Sequence, residues 1–255
     1  MMTQPLWAVL TVFFIFGLVI GSFINVCIYR IPKEESLFRP GSHCTTCGRL
    51  ISWHDNIPVL SFIFLKGRCR YCKSKISYQY PLVELLTAVC FTLIAAKFYE
   101  SGIFLFYLYL TFVLVAVFFI DLYNQIIPDF FSFSLILIGL AASFLNGQLG
   151  TTFFSKLINS LGGVAAGGGI LLLAGYAGKI LFKKDAMGFG DVKFLAGIGA
   201  FTGVSKVILV LIIASVLGSI WGIFLILLKK IKKRDYIPFG PFISIAAFIC
   251  LFFTK

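Results

Sequence analysis

Two aspartates stand at the ends of long apolar runs, where charge is rare. Asp121 follows the apolar run ending Phe118-Phe119-Ile120, and Asp191 closes Gly188-Phe189-Gly190-Asp191 at the mouth of another apolar run. Carboxylates at membrane depth are expensive and usually mark function. If the two converge, they cannot both ionise easily and share a proton. One can then activate water while the other donates to a scissile carbonyl, which is the chemistry of an aspartyl protease. Gly188 and Gly190 lack a β-carbon and leave room for a substrate backbone to approach. From the residues alone, an ion or proton path through the same carboxylates is an equal alternative. Asp191 could also cap a helix, and Asp121 could pair with Lys193. Asp129, after Pro128, reads as a helix cap.

A second constellation is Cys44-Thr-Thr-Cys47 and Cys69-Arg-Tyr-Cys72. Two C-x-x-C pairs supply four thiolates, enough for a closed tetrahedral zinc shell with no open position for water, so the expected zinc is structural. His43 and His54 are spare ligand types nearby. Cys27, Cys90 and Cys250 lie in apolar runs and read as small buried side chains.

The elements that must position these groups follow from composition. The chain has 255 residues, 60% of them hydrophobic and 13% charged, with a mean hydropathy of +1.00. A water-soluble domain does not have this balance, and the bilayer is the main solvent. The net charge of +12 lies between apolar runs instead of forming a groove, so nucleic acid is not an expected partner.

A spanning helix needs about 20 mostly apolar residues. Eight segments are expected: 6–28, 80–98, 103–122, 130–146, 153–182, a short one at 192–203, 206–228 and 238–253. No basic residue precedes the first and no small-x-small cleavage pattern follows it, so it is expected to stay attached as a helix. Basic residues divide 17 to 4 between the two sides of this eight-span topology, which puts segment 30–79 and both aspartates on the cytoplasmic side and both termini outside. The fold class is therefore all-α: a polytopic helix bundle with a small cytoplasmic zinc-binding insertion. The expected divisions are 1–29 (first helix), 30–79 (four-cysteine segment) and 80–255 (bundle carrying the aspartates).

Glycines recur four apart at Gly17/Gly21, Gly163/Gly167, Gly199/Gly203 and Gly218/Gly222, a spacing that lets helix backbones approach closely in lipid. The glycine-dense stretch 162–169 lacks the Lys and Ser/Thr of a phosphate loop and reads as helix packing. No internal repeat of the kind found in transporters is evident.

With these residues in place the chain resembles the prepilin peptidases, bifunctional leader peptidase/N-methyltransferases of type IV pilus, type II secretion and competence systems. The resemblance rests on Gly21 to Pro32, Arg39-Pro-Gly-Ser42, both cysteine pairs, Asn56 to Ser61, Gly67-Arg-Cys69 and Tyr80-Pro-Leu-Val-Glu84. It continues through Asp121, Ile127-Pro-Asp129, Gly188-x-Gly-Asp191-Val-Lys193 and Ile237-Pro-Phe-Gly-Pro241. Tyr123 and Ala186 depart from the common pattern. The resemblance implies that Asp121 and Asp191 are the catalytic pair, in a Gly-x-Gly-Asp setting shared with the presenilin-related intramembrane proteases. It implies zinc on Cys44, Cys47, Cys69 and Cys72, and prepilins or pseudopilins as substrates. A short basic leader would be removed after a Gly, and the new terminal residue would be N-methylated from S-adenosylmethionine, whose binding residues the sequence does not identify. The implied location is the bacterial cytoplasmic (inner) membrane. A transporter with a regulatory metal loop is the alternative.

Overall fold

A computed structural model describes residues 5–182, 188–230 and 237–253. Among these the secondary structure is helical, with two isolated antiparallel bridges and no extended strand. The helices are α1 (Leu6–Arg30), α2 (Leu60–Phe64), α3 (Gln79–Phe98), α4 (Phe104–Asn124), α5 (Asp129–Ser143), α6 (Phe153–Phe182), α7 (Phe189–Leu227) and α8 (Gly240–Phe252). Five of them, α1, α3, α4, α6 and α7, are long and apolar enough to cross a membrane. The departure at Ala186 and the basic residues Lys183, Lys184, Lys232, Lys233 and Arg234 lie outside the described residues.

The chain forms two compact units, 1–116 and 117–255, and the division falls within α4. In the first unit α1 and α3 pack antiparallel. A β-carbon on Gly17 would sit 2.5 Å from the Cα of Ala88, and one on Gly21 would sit 2.6 Å from the Cα of Glu84. One turn further on, Asn25 Nδ2 donates to the carbonyl of Tyr80 at 3.1 Å. Three residues four apart on α1 thus meet three residues four apart on α3 in reverse order, the close approach expected of small-residue seams. Helix α3, which the sequence groups with 80–255, is the partner of α1.

The segment between α1 and α3 is tied at both ends. Arg30 is buried and donates to the carbonyls of Ser36 (2.8 Å) and Pro40 (2.6 Å). Glu84, buried on α3, accepts the Val59 amide at 2.7 Å. Val59 sits at φ 61°, a strained setting for a β-branched residue that persists only where surrounding contacts fix it.

In the second unit α7 is not one rod. Its 39 residues would extend about 58 Å at 1.5 Å per residue, almost twice the hydrocarbon thickness of roughly 30 Å. Gly203 breaks it with φ 76° and ψ 178°, a left-handed setting for which glycine is suited. A β-carbon on Gly167 of α6 would lie 2.6 Å from the Leu195 carbonyl and 3.0 Å from Val207 Cγ2. Residues twelve apart in a straight helix are about 18 Å apart, so the chain doubles back at Gly203. The expected division between 192–203 and 206–228 is therefore a helical hairpin, and counting its two legs gives the eight apolar segments read from the sequence.

Backbone groups freed at the hairpin tip are paired, as buried polar groups must be. Asn146 Nδ2 donates to the Phe201 carbonyl at 2.9 Å, Ser160 Oγ to the Ala200 carbonyl at 2.7 Å, and the Val204 amide to Asn159 Oδ1 at 3.1 Å. Gly163 and Gly199 meet backbone to backbone, with a β-carbon on either placed 2.1 Å from the other's carbonyl oxygen. Gly139 and Gly197 let α5 run beside the first leg of α7, against Ala200 and Leu135 respectively. Residues advance together along both, so the two helices begin at the same end.

Candidate functional site

Asp121 lies one turn before the end of α4, and Asp191 lies in the first turn of α7. Both are in the second unit and both are buried, at 2% and 3% exposure. The linker that follows Asp121 packs on Gly190, the neighbour of Asp191: a β-carbon there would lie 3.1 Å from the Cβ of Ile127. A carboxylate near the C-terminus of its own helix opposes the helix dipole. Here the start of α8 compensates: the Gly240 amide donates to Asp121 Oδ2 at 2.9 Å. Asp191 Oδ1 is buried without a hydrogen-bond partner, a condition that in a native interior calls for a reason.

The neighbours differ from several expectations. Lys193 pairs with Asp129 Oδ1 and not with Asp121. Asp129 makes no side-chain cap on α5, whose N-cap is Pro128; its carboxylate is turned to the lysine instead. Asp191 is likewise no cap, since Gly188 holds that position and accepts the Asp191 amide at 3.2 Å. A β-carbon on Gly190 would meet the Cβ of Ile127 at 3.1 Å. The missing β-carbon is thus already used by the chain's own 125–128 linker.

Gly240 is the residue that sequence reasoning missed. A β-carbon there would lie 2.7 Å from Asp121 Oδ2, so only glycine lets the amide approach. The signal was present in Phe239-Gly240-Pro241: proline in the first turn fixes a helix start, and glycine beside it marks a backbone that something approaches closely.

The four cysteines form the metal-capable group in the first unit. The sulfurs of Cys44, Cys47, Cys69 and Cys72 all lie within 4.8 Å of one another, and Cys44 and Cys72 are 3.8 Å apart. A tetrahedral zinc with four bonds of about 2.3 Å requires sulfur separations of about 3.8 Å. The donor set therefore fits zinc, and the histidines are not part of the group. The Cys47 backbone amide holds the Cys44 thiol down at about 6, and Ser74 lowers that of Cys72. These two shifts favour the thiolate that a metal binds, while the Cys47 thiol, despite the Arg49 backbone hydrogen bond, is pushed up to about 11 by desolvation and its cysteine neighbours.

The two cysteine knuckles are copies of one another at an offset of 25 residues. Cys44 and Cys69 each donate their amide to the carbonyl five residues on, at Arg49 and Ser74, both at 2.9 Å. Gly48 and Lys73, each four residues after the first cysteine, return an amide to it from left-handed backbone at φ 69° and 60°. The bridges His43 to Leu50 and Arg68 to Lys75 close each loop. Cys27, Cys90 and Cys250 are buried, as expected.

The fold and these two centres define a multi-pass, all-helical membrane protein with a buried carboxylate pair and a separate four-cysteine knuckle. Residues 15–98 match the bacterial peptidase A24 N-terminal domain, and residues 108–223 match the type IV leader peptidase family. The chain belongs to the type IV leader peptidase family, a family of aspartic proteases. A prepilin leader peptidase/N-methyltransferase of Aeromonas salmonicida is 37% identical over 96% of this chain and 91% of its own length. One of Neisseria gonorrhoeae is 34% identical over 96% and 88%. A type 4 prepilin-like proteins leader peptide-processing enzyme of Escherichia coli is 37% identical over 92% and 91%. These relatives give no support to the transporter alternative. No solved structure matches the chain.

Proposed function

We propose that this chain cleaves the leader from type IV prepilins or pseudopilins with Asp121 and Asp191 as the catalytic pair, and then N-methylates the new terminus. The observation that carries the cleavage reading is the burial of two carboxylates in one unit, Asp121 held by Gly240 and Asp191 with a bare oxygen. Enclosed carboxylates that sense each other share one proton. Gly240 occupies Oδ2 of Asp121, which leaves Oδ1 to orient a water against the scissile carbonyl. The bare Oδ1 of Asp191 carries the shared proton toward the carbonyl oxygen as the water adds. Asp121, which takes the water's proton as the water adds, passes it to the leaving amine, and the diol hydroxyl returns the other proton to Asp191, which restores the pair and completes the cleavage.

Cys44, Cys47, Cys69 and Cys72 would hold a structural zinc that folds the insertion. S-adenosylmethionine would supply the methyl group. The location that suits this chemistry is the bacterial inner membrane, with the insertion and aspartates facing the cytoplasm. In the test, purified protein is incubated with a prepilin and S-adenosylmethionine, and product masses are read. Leader loss followed by a gain of one methyl group is expected; an unaltered prepilin mass with well-folded enzyme rejects the reading.

A further inference from the structure

Outside both centres, the insertion between α1 and α3 carries side chains that neither centre uses. Helix α2 exposes Leu60 (52%), Ile63 (61%) and Phe64 (81%), at i, i+3 and i+4, so they form one stripe. Ser61 on the opposite side is buried and donates to the His54 carbonyl at 3.0 Å. That bond seats α2 on the turn Trp53–Asn56, whose Trp53 is 82% exposed. An apolar group of this size in a polar segment marks an interaction surface.

Beside the stripe, Phe64 and Leu65 share the lining of a concavity of about 390 Å³ with Lys66, Arg68, Arg70 and Lys73, at the margin of the cysteine centre, where Cys69 also borders it. Asp55 takes Arg70 in a two-bond clasp at 2.6 and 2.5 Å. Lys66, Arg68 and Lys73 pair with no carboxylate among the described residues. Segment 30–79 as a whole carries nine basic residues against three acidic ones.

We propose that Trp53 and the Leu60–Ile63–Phe64 stripe dock the insertion on anionic lipid headgroups, with Lys66, Arg68 and Lys73 facing the phosphates. Apolar side chains bordered by unpaired cations are the composition of an interfacial anchor. The surface is also within reach of a bilayer. Both ends of the insertion run directly into α1 and α3 of the same unit, whose lengths and apolar composition suit membrane crossing. The inference rests on that crossing and not on the proposed proteolysis.

The test uses the full-length chain with Trp53 as its only tryptophan (Trp7→Phe, Trp221→Phe). It is reconstituted in vesicles of phosphatidylcholine, with or without one part in three of phosphatidylglycerol, the acyl chains brominated to quench nearby indole. Quenching of Trp53 is expected to be strong with phosphatidylglycerol, weak without it, and reversed by high salt in the unmutated surface. Each basic residue near an anionic surface contributes roughly fivefold to attachment, so Lys66→Glu/Arg68→Glu should reduce quenching to the phosphatidylcholine level. Ile63→Ser/Phe64→Ser should do the same at low salt. A Trp53 that ignores brominated lipid in both vesicles and stays open to aqueous acrylamide overturns the proposal and leaves the surface to a protein partner. Leader cleavage is assayed in parallel, so loss of docking with cleavage intact separates this inference from the proteolytic one.

Discussion

The Gly240 amide and the Asp121 carboxylate are joined across 119 residues of sequence, N–H to Oδ2 at 2.9 Å, with no space for a methyl group between them. The start of α8 thereby fixes the rotation of an aspartate on α4. Gly240→Ala should push that carboxylate off its donor. A hydrogen bond to a charged group contributes about 1.5–3 kcal/mol, so the leader-cleavage rate should fall ~10- to 100-fold while substrate KM changes little. Steady-state assays on a reconstituted variant check this, and a raised KM with unchanged kcat would place Gly240 in substrate binding instead.

Asp121→Asn and Asp191→Asn should each abolish cleavage while leaving the chain inserted and folded, since Asn keeps the shape but cannot trade the proton. Asp129→Asn is expected to do far less. Its carboxylate meets Lys193 at an exposed edge, where an ion pair contributes about 0–1 kcal/mol. Mass spectrometry of prepilin after incubation with each variant gives the answer; near-normal cleavage by a folded Asp121→Asn or Asp191→Asn protein removes the pair from the mechanism.

One zinc per chain is expected in protein purified without chelator, and none in a Cys44→Ser/Cys72→Ser variant. Elemental analysis decides it. Metal-free wild-type protein would leave the four sulfurs as a cluster of ordinary thiols.

The two activities should separate under mild damage to the insertion. The cysteines belong to unit 1–116 and the aspartates to unit 117–255, and helix packing in lipid needs no metal. Cys47→Ser should lower methylation more than cleavage. Counting uncleaved, cleaved and methylated prepilin in one reaction tests this, and equal loss of both activities contradicts it.

What could be read from sequence was whatever depends on local pattern. The apolar runs gave the helices, including a division at Gly203 inside what is nominally one helix. The C-x-x-C spacing pointed to four sulfurs that do meet. Pairings across long separations were less accessible. Lys193 is two residues from Asp191 and 64 from Asp129, yet it pairs with the latter, because α5 and the first leg of α7 start together. Gly240 could not be assigned to Asp121 for the same reason. The 25-residue copy within the knuckles escaped notice because it lives in hydrogen bonds and left-handed residues, while side chains at matching positions, such as Thr45 and Arg70, differ.

The hairpin at Gly203 also bears on how water reaches a site enclosed by lipid. From Phe189 to Gly203 the first leg of α7 is about 22 Å long, and α5 and α8, with 15 and 13 residues, are about 22 and 20 Å. All three begin near the two carboxylates: α5 at Asp129, whose partner is Lys193, α7 two residues before Asp191, and α8 at Gly240. Three elements some 8–10 Å shorter than the roughly 30 Å hydrocarbon slab oblige the surrounding lipid to thin or the headgroups to dip. Where that dip falls on the side at which these elements begin, it brings the aqueous boundary toward Asp121 and Asp191. The hydrolysis proposed for that pair then needs no dedicated water channel, and the same dimple shortens the distance over which a peptide bond would leave water to reach it.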